Sequence, residues 1–598
     1  MSLPSRDFLG APDALRSRAP SPRPAPATLL DASGSEYKAK RDASRSHFGR
    51  HSTRPPASTI LERIRRRPKL VGGALLVLAA LTIAWIALGV SDYIVLVRFK
   101  LRDMSFEEGW TNGCGLRKRP LLFIRGDAEL AVVWETNCEQ EFAVRVGAEG
   151  PAAGDVAVVA WEVKAKRVRV SDDSNTHWAY HAILKDLHGG STYSYQIVLR
   201  DAPPTSRPLA SHSFPWLGSS TSIAASAVGD NQYNVRTFHR ILLRLLSHSR
   251  TRPKLLIHLG DVVQNPQNLA QWQTDFFDPM TSLLGYPLGQ STLILLARGN
   301  HDWDATGRNV YTGGSPPRTE WVRHLGRTAK TTSPHPGTYF SYSPHPRCRI
   351  LILDANLESE EQGEQEQWLE WELRRSEWKR ASLRIVMVHV PPFLEYWDQK
   401  AWTESGESQW CVRASLMTSE ADLRTHRSLF VRHRLTPLLS LHGTHLVISG
   451  HQHAYSRGFL PAALHHSFTS APNSSALSPF AIASTAERGW EKTPAAQREP
   501  GTIYAIIGGA GGTLDEDLVE QWGFYEKSVK GRYHFVGLEL EFETMRAKER
   551  KGVRLYRVGE RDRCKEGETA VVDALGWKAV GVEGKVFDEF RIEAEGCR

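Results

Sequence analysis

Between residues 119 and 217 the chain shows short runs in which apolar and polar residues alternate. ELAVVWET, EFAVRVG and STYSYQIVLRD are examples, and turn residues separate them. A period of two is typical of strands with one buried face, and several such strands at this spacing indicate an antiparallel sandwich. We therefore predict an all-β sandwich domain over residues 119–217.

From residue 222 onward the pattern changes to continuous apolar runs that alternate with amphipathic helices. Runs such as KLLIHL, TLILLA and RIVMVH are apolar on both faces, as expected for strands that are covered on both sides. Between such runs, Phe238, Ile241 and Leu245 keep one helix face apolar. This alternation predicts an α/β domain with a layered β-sheet over residues 218–598, with a Ser-, Ala- and Pro-rich surface insertion near 464–500.

One apolar segment differs from the others in its length. The stretch from Leu70 to Val90 carries no charge and could cross a bilayer as a helix, which needs roughly 20 residues. A buried core helix is the alternative, but the segment is apolar on every face and lies between polar stretches. A cleaved signal peptide would have a shorter apolar core. We predict a single transmembrane helix, a signal anchor over residues 69–91.

The charge of the chain is concentrated ahead of this segment. Residues 1–69 hold fifteen Lys and Arg against six Asp and Glu, a difference that equals the net charge of +9 of the whole chain. We expect residues 1–68 to be a disordered basic tail, and the positive-inside rule places it in the cytoplasm. A linker over 92–118 would then lead to a catalytic domain outside the cytoplasm or in a lumen. Because the remainder is close to neutral, we predict no nucleic acid partner.

Five polar motifs each follow the end of a predicted strand in the second domain. They are Gly229-Asp230-Asn231-Gln232, Gly260-Asp261, Gly299-Asn300-His301-Asp302, His389 and Gly450-His451-Gln452-His453. In open α/β sheets, ligands bind beyond the carboxyl ends of strands, so motifs from separate strands can converge on one site.

The residue types in these motifs are those of a transition-metal site. Carboxylate and amide oxygens together with imidazoles suit Fe, Mn and Zn, whereas Ca takes oxygen ligands alone. Two such ions, about 3.5–4 Å apart, activate a water as nucleophile and stabilise the attacking and leaving oxygens at phosphorus. Any one motif is weak evidence, but five in this order indicate a dinuclear phosphoesterase.

The motifs and their order resemble the calcineurin-like metallophosphoesterases, and within them the purple acid phosphatase group. The resemblance runs from residue 222 to the C-terminal end. The segment HAILKDLHGGSTYSYQIVL resembles the late strands of the fibronectin type III-like domain that precedes the catalytic domain in plant-type purple acid phosphatases. The resemblance implies an acid phosphatase-like hydrolase of phosphate esters.

The resemblance also implies a role for each matching residue. Asp230 and His453 would bind the first metal ion, Asp261 would bridge both ions, and Asn300, His389 and His451 would bind the second ion. His301 would be catalytic and would protonate the leaving group. Asp302 beside it is the second catalytic candidate and would orient His301, with a helix cap as the alternative. Asn300, His301, Tyr455 and Arg457 would contact the substrate. For Tyr455 and Arg457, a strand-end salt bridge and a packed ring are the alternative.

The sequence departs from the purple acid phosphatase pattern at two positions. Gln232 stands where that group has glycine, and Gln264 stands where it has the tyrosine that binds ferric iron. We therefore expect two divalent metal ions, Fe, Mn or Zn. The first ion would have Asp230, Asp261, His453 and either water or an amide oxygen from Gln232 or Gln264.

These observations favour a membrane-anchored dinuclear-metal phosphatase that hydrolyses phosphate monoesters through a metal-activated hydroxide. Two alternatives stay open, namely a phosphodiesterase of the same fold and a catalytically decayed binding ectodomain, which the two glutamines would permit. The oligomeric state is open as well. Six cysteines could form disulfides outside the cytoplasm, with Cys114–Cys138 and Cys564–Cys597 as the local pairs, or they could equally be free thiols.

Overall fold

The computed structural model describes most of the two predicted domains. The described residues are 68–87, 97, 114–149, 161–171, 176–203, 206–248, 252–266, 268–281, 288–302, 339–357, 359–393, 430–461, 501–515, 525–544, 554–558 and 570–597. The predicted tail before residue 68, most of the predicted linker and the predicted insertion at 464–500 lie outside them.

The long apolar segment forms helix α1, Pro68–Ala87. Its described large side chains, such as Leu76 and Ile83, are exposed in the isolated chain. Among the described residues, however, no helix meets the length and hydropathy that a membrane span requires. The transmembrane anchor therefore stays a prediction.

A β-rich region occupies the place of the predicted sandwich domain. Its strands are β1 Leu116–Gly126, β2 Glu129–Thr136, β3 Phe142–Glu149, β4 Trp161–Lys164, β5 Lys166–Ser171, β6 Thr176–Leu184, β7 Thr192–Leu199 and β8 Ala210–Pro215. They pair antiparallel in two sets, β1-β2-β6-β5 and β4-β3-β7-β8. Trp134 stacks on Tyr180 in the core that both sets share. The fibronectin type III-like assignment of this region is not shown and stays a prediction.

The predicted disulfide between Cys114 and Cys138 is present at the start of this region. The two Cα atoms lie 5.3 Å apart, which is within the range that a disulfide needs. Cys348 is a buried free thiol. The other predicted pair cannot be followed, because Cys564 lies outside the described residues.

The predicted catalytic region contains the remaining strands. They are β9 Ser222–Val228, β10 Leu255–His258, β11 Leu293–Leu296, β12 Phe340–His345, β13 Cys348–Leu353, β14 Leu383–Val388, β15 Leu446–Ser449, β16 Tyr455–Pro461, β17 Gly501–Ile507, β18 Tyr525–Val529, β19 His534–Thr544, β20 Arg554–Val558, β21 Ala570–Gly581 and β22 Val586–Cys597.

Helical segments connect these strands. They are α2 Val235–His248, α3 Leu269–Gln271, α4 Asp278–Thr281, α5 Leu288–Ser291, α6 Ser359–Arg374, α7 Ser376–Arg380 and α8 Thr436–Leu441. A π-helical segment, Trp272–Phe277, joins α3 to α4, a second one, Val431–Leu435, precedes α8, and a 3₁₀ turn covers Asn300–Asp302.

The structure forms two sheets where the sequence predicted one layered sheet. Strands β9, β10 and β11 are parallel neighbours in the first sheet, and β13, β14, β15 and β17 are parallel neighbours in the second. Residues of both sheets, such as Ile257 and Met387, belong to one shared core. Helix α2 covers the outer face of the first sheet through Phe238, and α6 covers that of the second through Leu369. The catalytic region therefore has four layers, with helices outside two facing sheets.

The β-rich region is continuous with the first of these sheets. Strand β1 pairs in parallel with β11, with Phe123 opposite Ile294, so that one sheet of eleven strands runs through both regions. A second contact joins Asp127, in the turn after β1, to the buried Arg349 of β13 at 2.7 Å. The sequence could not predict this continuity, because pairing between Phe123 and Ile294, 171 positions apart, leaves no local pattern.

Candidate metal centre

The predicted metal ligands lie at one edge of the facing sheets. Asp230, Asp261 and Asn300 follow β9, β10 and β11, which are parallel and adjacent. His389 and His451 follow β14 and β15, which are also parallel and adjacent. Since the carboxyl ends of parallel strands point the same way, each sheet delivers its ligands to the same edge.

Four side chains meet around the position predicted for the second metal ion. Asn300 Oδ1 lies 2.7 Å from His451 Nδ1 and 2.9 Å from His389 Nε2. Asp261 Oδ2 lies 3.3 Å from the same His389 nitrogen. One ligand atom each from Asp261, His389 and His451 falls within a mutual distance of 4.8 Å. This spacing allows a single ion to reach all three.

The tautomer of His389 indicates that a cation belongs here. Its Nδ1 donates a hydrogen bond of 2.6 Å to the Leu259 carbonyl, so in the neutral ring Nε2 carries a lone pair. That lone pair faces the oxygens of Asn300 and Asp261. Three acceptors facing one another are stable only with a proton or a metal ion between them. Burial lowers the pKa of His389, but the charge and hydrogen bond of Asp261, the charge of Asp230 and the Leu259 carbonyl together raise this pKa to about 9.

A second group surrounds the position predicted for the first ion. His453 Nε2 lies 3.8 Å from Asp230 Oδ1 and 3.2 Å from the amide nitrogen of Gln232. That amide nitrogen also lies 3.4 Å from Asp261 Oδ2. Asp261 therefore stands between the two groups, as a bridging carboxylate would.

The carboxylates of the site are short of positive charge. Asp230 is fully buried, and its Oδ2 has no hydrogen-bond partner. Burial raises the pKa of Asp230 well above its usual value, and the charge of Asp261 adds to this effect. Burial also acts to raise the pKa of Asp261, but His389, His301 and His451 together outweigh burial and lower this pKa. The donor set and the orphaned oxygen fit a pair of divalent cations.

Gly260 and the residue after it have backbone conformations that suit this crowded edge. Gly260 has φ +94°, and an added Cβ would lie 2.3 Å from the backbone nitrogen of Gly299 in the neighbouring loop. Asp261 has φ +52°, a value that costs a non-glycine residue about 1–3 kcal/mol. The glycine allows the two ligand-bearing loops to touch.

His301 is held in place by its neighbours. Its backbone N–H donates to Asp261 Oδ1 at 2.8 Å, and its ring Nδ1 donates to the Gln264 carbonyl at 3.1 Å. The ring is part-exposed at the site, with Nε2 directed away from that carbonyl. This placement agrees with the predicted contact to substrate, which itself stays a proposal.

Asp302 was predicted to be catalytic, and the structure assigns it a different task. Its buried carboxylate accepts backbone N–H groups from Gly299 at 2.7 Å, Val262 at 2.9 Å and Asp261 at 3.0 Å. The carboxylate thereby ties the loop after β10 to the loop after β11. Asp302 is a positioning residue, because its oxygens face the backbone.

Tyr455 and Arg457 were predicted to contact substrate, but both are buried in an ion-pair network. The Arg457 guanidinium donates to Asp588 at 2.7 and 3.2 Å and also pairs with Glu526. The Tyr455 hydroxyl donates to Asp588 at 2.5 Å. These contacts correct the prediction, since the alternative of a salt bridge and a packed ring describes both residues.

His258, inside β10, is a buried core histidine whose ring nitrogens both have hydrogen-bond partners. Its Nε2 donates to Asn231 Oδ1 at 2.9 Å, and its Nδ1 accepts the Gly260 N–H at 3.2 Å. Burial lowers its pKa to about 3, so the ring is neutral. His258 supports the loops behind the site without reaching the ligands.

Sequence reasoning missed the segment that holds His453. The His453 Nδ1 donates to the Thr513 carbonyl at 2.6 Å, and the His453 backbone N–H donates to Asp515 at 2.8 Å. Gly512 lies so close to the ring that a Cβ there would be 2.5 Å from it. The run GGAGG before Thr513 was the available signal, because repeated glycines after a strand indicate a close backbone approach.

Comparisons with known proteins agree with this geometry. Residues 223–455 match the family model of the calcineurin-like phosphoesterases. The structure of a purple acid phosphatase isolated from yellow lupin (Lupinus luteus) seeds is similar, with a TM-score of 0.52 and 16% sequence identity, over 79% of this chain and 73% of that chain. At this identity the likeness concerns the fold. A search of curated protein sequences found no significant match.

The matched span contains all six predicted metal ligands, from Asp230 to His453. It begins in β9 and ends at the start of β16. The chain therefore carries a calcineurin-like phosphoesterase domain over residues 223–455, which confirms the predicted enzyme class of metal-dependent phosphoesterase.

Proposed function

We propose that this protein is a dinuclear-metal phosphatase that hydrolyses phosphate monoesters. The observation that supports this proposal is the convergence of Asp261 with His389, His451 and Asn300 on one side and with Asp230 and His453 on the other. Two divalent ions bound there would supply an activated water and would neutralise charge at phosphorus. The protein's contribution is to hold these six side chains in place.

His301 is the residue that we assign to the leaving group. Its Nδ1 is fixed by the Gln264 carbonyl, which leaves Nε2 as the nitrogen that can carry a proton toward an alkoxide. General acid catalysis of this kind contributes typically about 10²–10⁴-fold. His301→Gln should therefore lower kcat most for substrates with poor leaving groups and least for those with good ones.

The choice of monoester over diester comes from the resemblance to purple acid phosphatases. The dinuclear core serves both reactions, so the surrounding loops determine which ester is accepted. A diesterase of the same fold and a non-catalytic binding ectodomain are the competing outcomes of the experiment below.

The test uses the full-length protein in detergent, stripped of metal and reloaded with Mn, Zn or Fe in turn. Each form is assayed on one generic phosphomonoester and one diester. Asp261→Asn is the matched control, because it removes the bridging charge and keeps the size of the side chain. Metal-dependent monoester turnover that the control lacks supports the proposal, turnover of the diester alone supports a diesterase, and a folded protein without turnover supports the ectodomain.

We also propose that the protein is a single-pass membrane protein with a cytoplasmic N-terminus and an extracytoplasmic or lumenal catalytic domain. The support is the uncharged segment from Leu70 to Val90 with basic residues before it. In intact cells or sealed vesicles, a tag at residue 1 and a tag at residue 598 should show opposite protease sensitivity. Release of the protein by alkaline carbonate would contradict the anchor.

A further inference from the structure

We infer that Gln232 is the remaining protein ligand of the first metal ion and binds it through its amide oxygen, an inference that rests on the proposed dinuclear function. Gln232 is the fourth residue of the motif that begins at Gly229, and it stands where the purple acid phosphatase group has glycine. Its side chain is buried and directed into the site.

The first argument is position. The Gln232 amide nitrogen lies 3.2 Å from His453 Nε2 and 3.4 Å from Asp261 Oδ2. Ligand atoms bound at about 2.1 Å to one ion are separated by about 3.0–3.4 Å for bond angles between 90° and 109°. The end of the Gln232 side chain therefore lies at the distance from two predicted ligands that a shared ion requires.

The second argument concerns the other end of the amide. Gln232 Oε1 is buried and has no hydrogen-bond partner, which is costly for a polar atom. A half-turn about the last side-chain bond exchanges oxygen and nitrogen with little other movement. The amide can therefore donate its N–H groups to His453 and Asp261 when no cation is present. When a cation is bound, the amide can turn its oxygen toward it.

Gln264 is the other glutamine that the sequence offered for this role. Its backbone carbonyl accepts from His301, and its side-chain oxygen is buried without a hydrogen-bond partner. Among the described residues, the Gln264 amide donates to none of the six predicted ligands, whereas Gln232 contacts two of them. The contacts thus distinguish two alternatives that the sequence left equal.

The inferred ligand set also indicates the class of ion. Asp230, Asp261 and the Gln232 amide would supply oxygens, and His453 would supply one nitrogen. Carboxylate and carbonyl oxygens suit Mn²⁺ well. A tyrosinate ligand would bring the negative charge that stabilises a ferric ion, whereas the Gln232 amide is neutral. We therefore assign the first site to a hard divalent ion, and Mn²⁺ is the probe that we would use.

The test measures binding directly. Full-length protein in detergent is stripped with a chelator and titrated with Mn²⁺, while the signal of free Mn²⁺ is followed by electron paramagnetic resonance. Wild type should bind two ions per chain. Gln232→Ala should weaken one of the two by about tenfold or more, and Gln232→Glu, which adds a charged oxygen at the same place, should restore or exceed wild-type affinity. Gln264→Ala is the matched control and should bind as wild type does.

The outcomes separate this inference from the proposed function. Two unchanged Mn²⁺ affinities in Gln232→Ala would overturn the inference and leave the dinuclear phosphatase intact. A loss in Gln264→Ala with none in Gln232→Ala would also overturn it. A wild-type protein that is folded and binds no metal would overturn both.

Discussion

The contact between Gly512 and His453 allows a quantitative prediction for Gly512→Ala. A Cβ at Gly512 would lie 2.5 Å from Cε1, 2.7 Å from Nδ1 and 2.8 Å from Nε2 of the imidazole. Non-bonded carbon contacts begin at about 3.5 Å, so the ring would have to move by about 1 Å. The ring cannot turn in place without losing its 2.6 Å hydrogen bond to the Thr513 carbonyl.

A displacement of this size should weaken the first metal site more than the fold. Loss of an orienting partner typically costs a metal site about 10–100-fold in affinity, which corresponds to about 1.4–2.8 kcal/mol. Overpacking adds about 1–3 kcal/mol to the free energy of the folded state. We expect the variant to stay folded, to bind one Mn²⁺ as wild type does, and to bind the other about 10–100-fold less tightly.

The assay is the Mn²⁺ titration of the full-length protein, combined with urea unfolding. Gly576→Ala is the matched control, because the nearest atoms to its added Cβ are at 3.7 and 3.8 Å, an ordinary contact. Activity of Gly512→Ala should recover at high Mn²⁺ concentration. If Gly512→Ala bound both ions as tightly as wild type, the assignment of His453 to the first ion would be refuted.

Three further predictions concern residues around the site. Arg457→Met breaks a buried ion-pair network and should lower the free energy of unfolding, measured in urea, by about 3–5 kcal/mol. KM should be unchanged. A large rise in KM at normal stability would instead indicate that Arg457 binds substrate. Asp302→Asn should lower stability by about 1–3 kcal/mol and also weaken Mn²⁺ binding, because its carboxylate joins two ligand loops; loss of kcat alone would indicate a catalytic acid. Burial raises the pKa of Asp275 to about 6, and the hydrogen bond from the Thr274 hydroxyl opposes this rise only in part. The carboxylate therefore ionises less readily in the folded protein than in the unfolded chain, and above about pH 6 its ionised form destabilises the fold. Asp275→Asn should stabilise the protein more at pH 8 than at pH 5, and an equal gain at both would exclude this cause.

The positions of the proposed metal ligands could be predicted from the sequence because they depend on local order. A polar motif after a buried strand lies at the carboxyl edge of the sheet whatever the order of the strands. Asp230, Asp261 and His389 are therefore found where the pattern placed them. Neighbouring strands then bring the ligands together, as β9, β10 and β11 do through their parallel pairing.

What could not be predicted depends on partners that are distant in the sequence. The charge of Arg457 is balanced by Asp588, which is 131 residues away and on another strand. A pattern of neighbours cannot reveal whether such a side chain faces the site or the core. The same holds for Asp302, whose three backbone partners include the loop after β10, about 40 residues earlier. Arg457 and Asp302, which lie in motifs beside the proposed ligands, were thus predicted to bind substrate or to take part in catalysis, whereas their contacts stabilise the fold around the site.

Three of the six predicted ligands have a left-handed backbone, and this conformation shows how the site is prepared for its ions. Asp230, Asp261 and His451 have φ values of +61°, +52° and +70°. A hydrogen bond from the residue's own backbone N–H holds each conformation. Asp230 donates to the Gly260 carbonyl at 3.0 Å, Asp261 donates to Asp302 at 3.0 Å, and His451 donates to Asp230 at 2.8 Å. These bonds join each loop to its neighbour and need no ion. The backbone strain is therefore balanced within the protein, and a metal ion would meet ligands that are already in position.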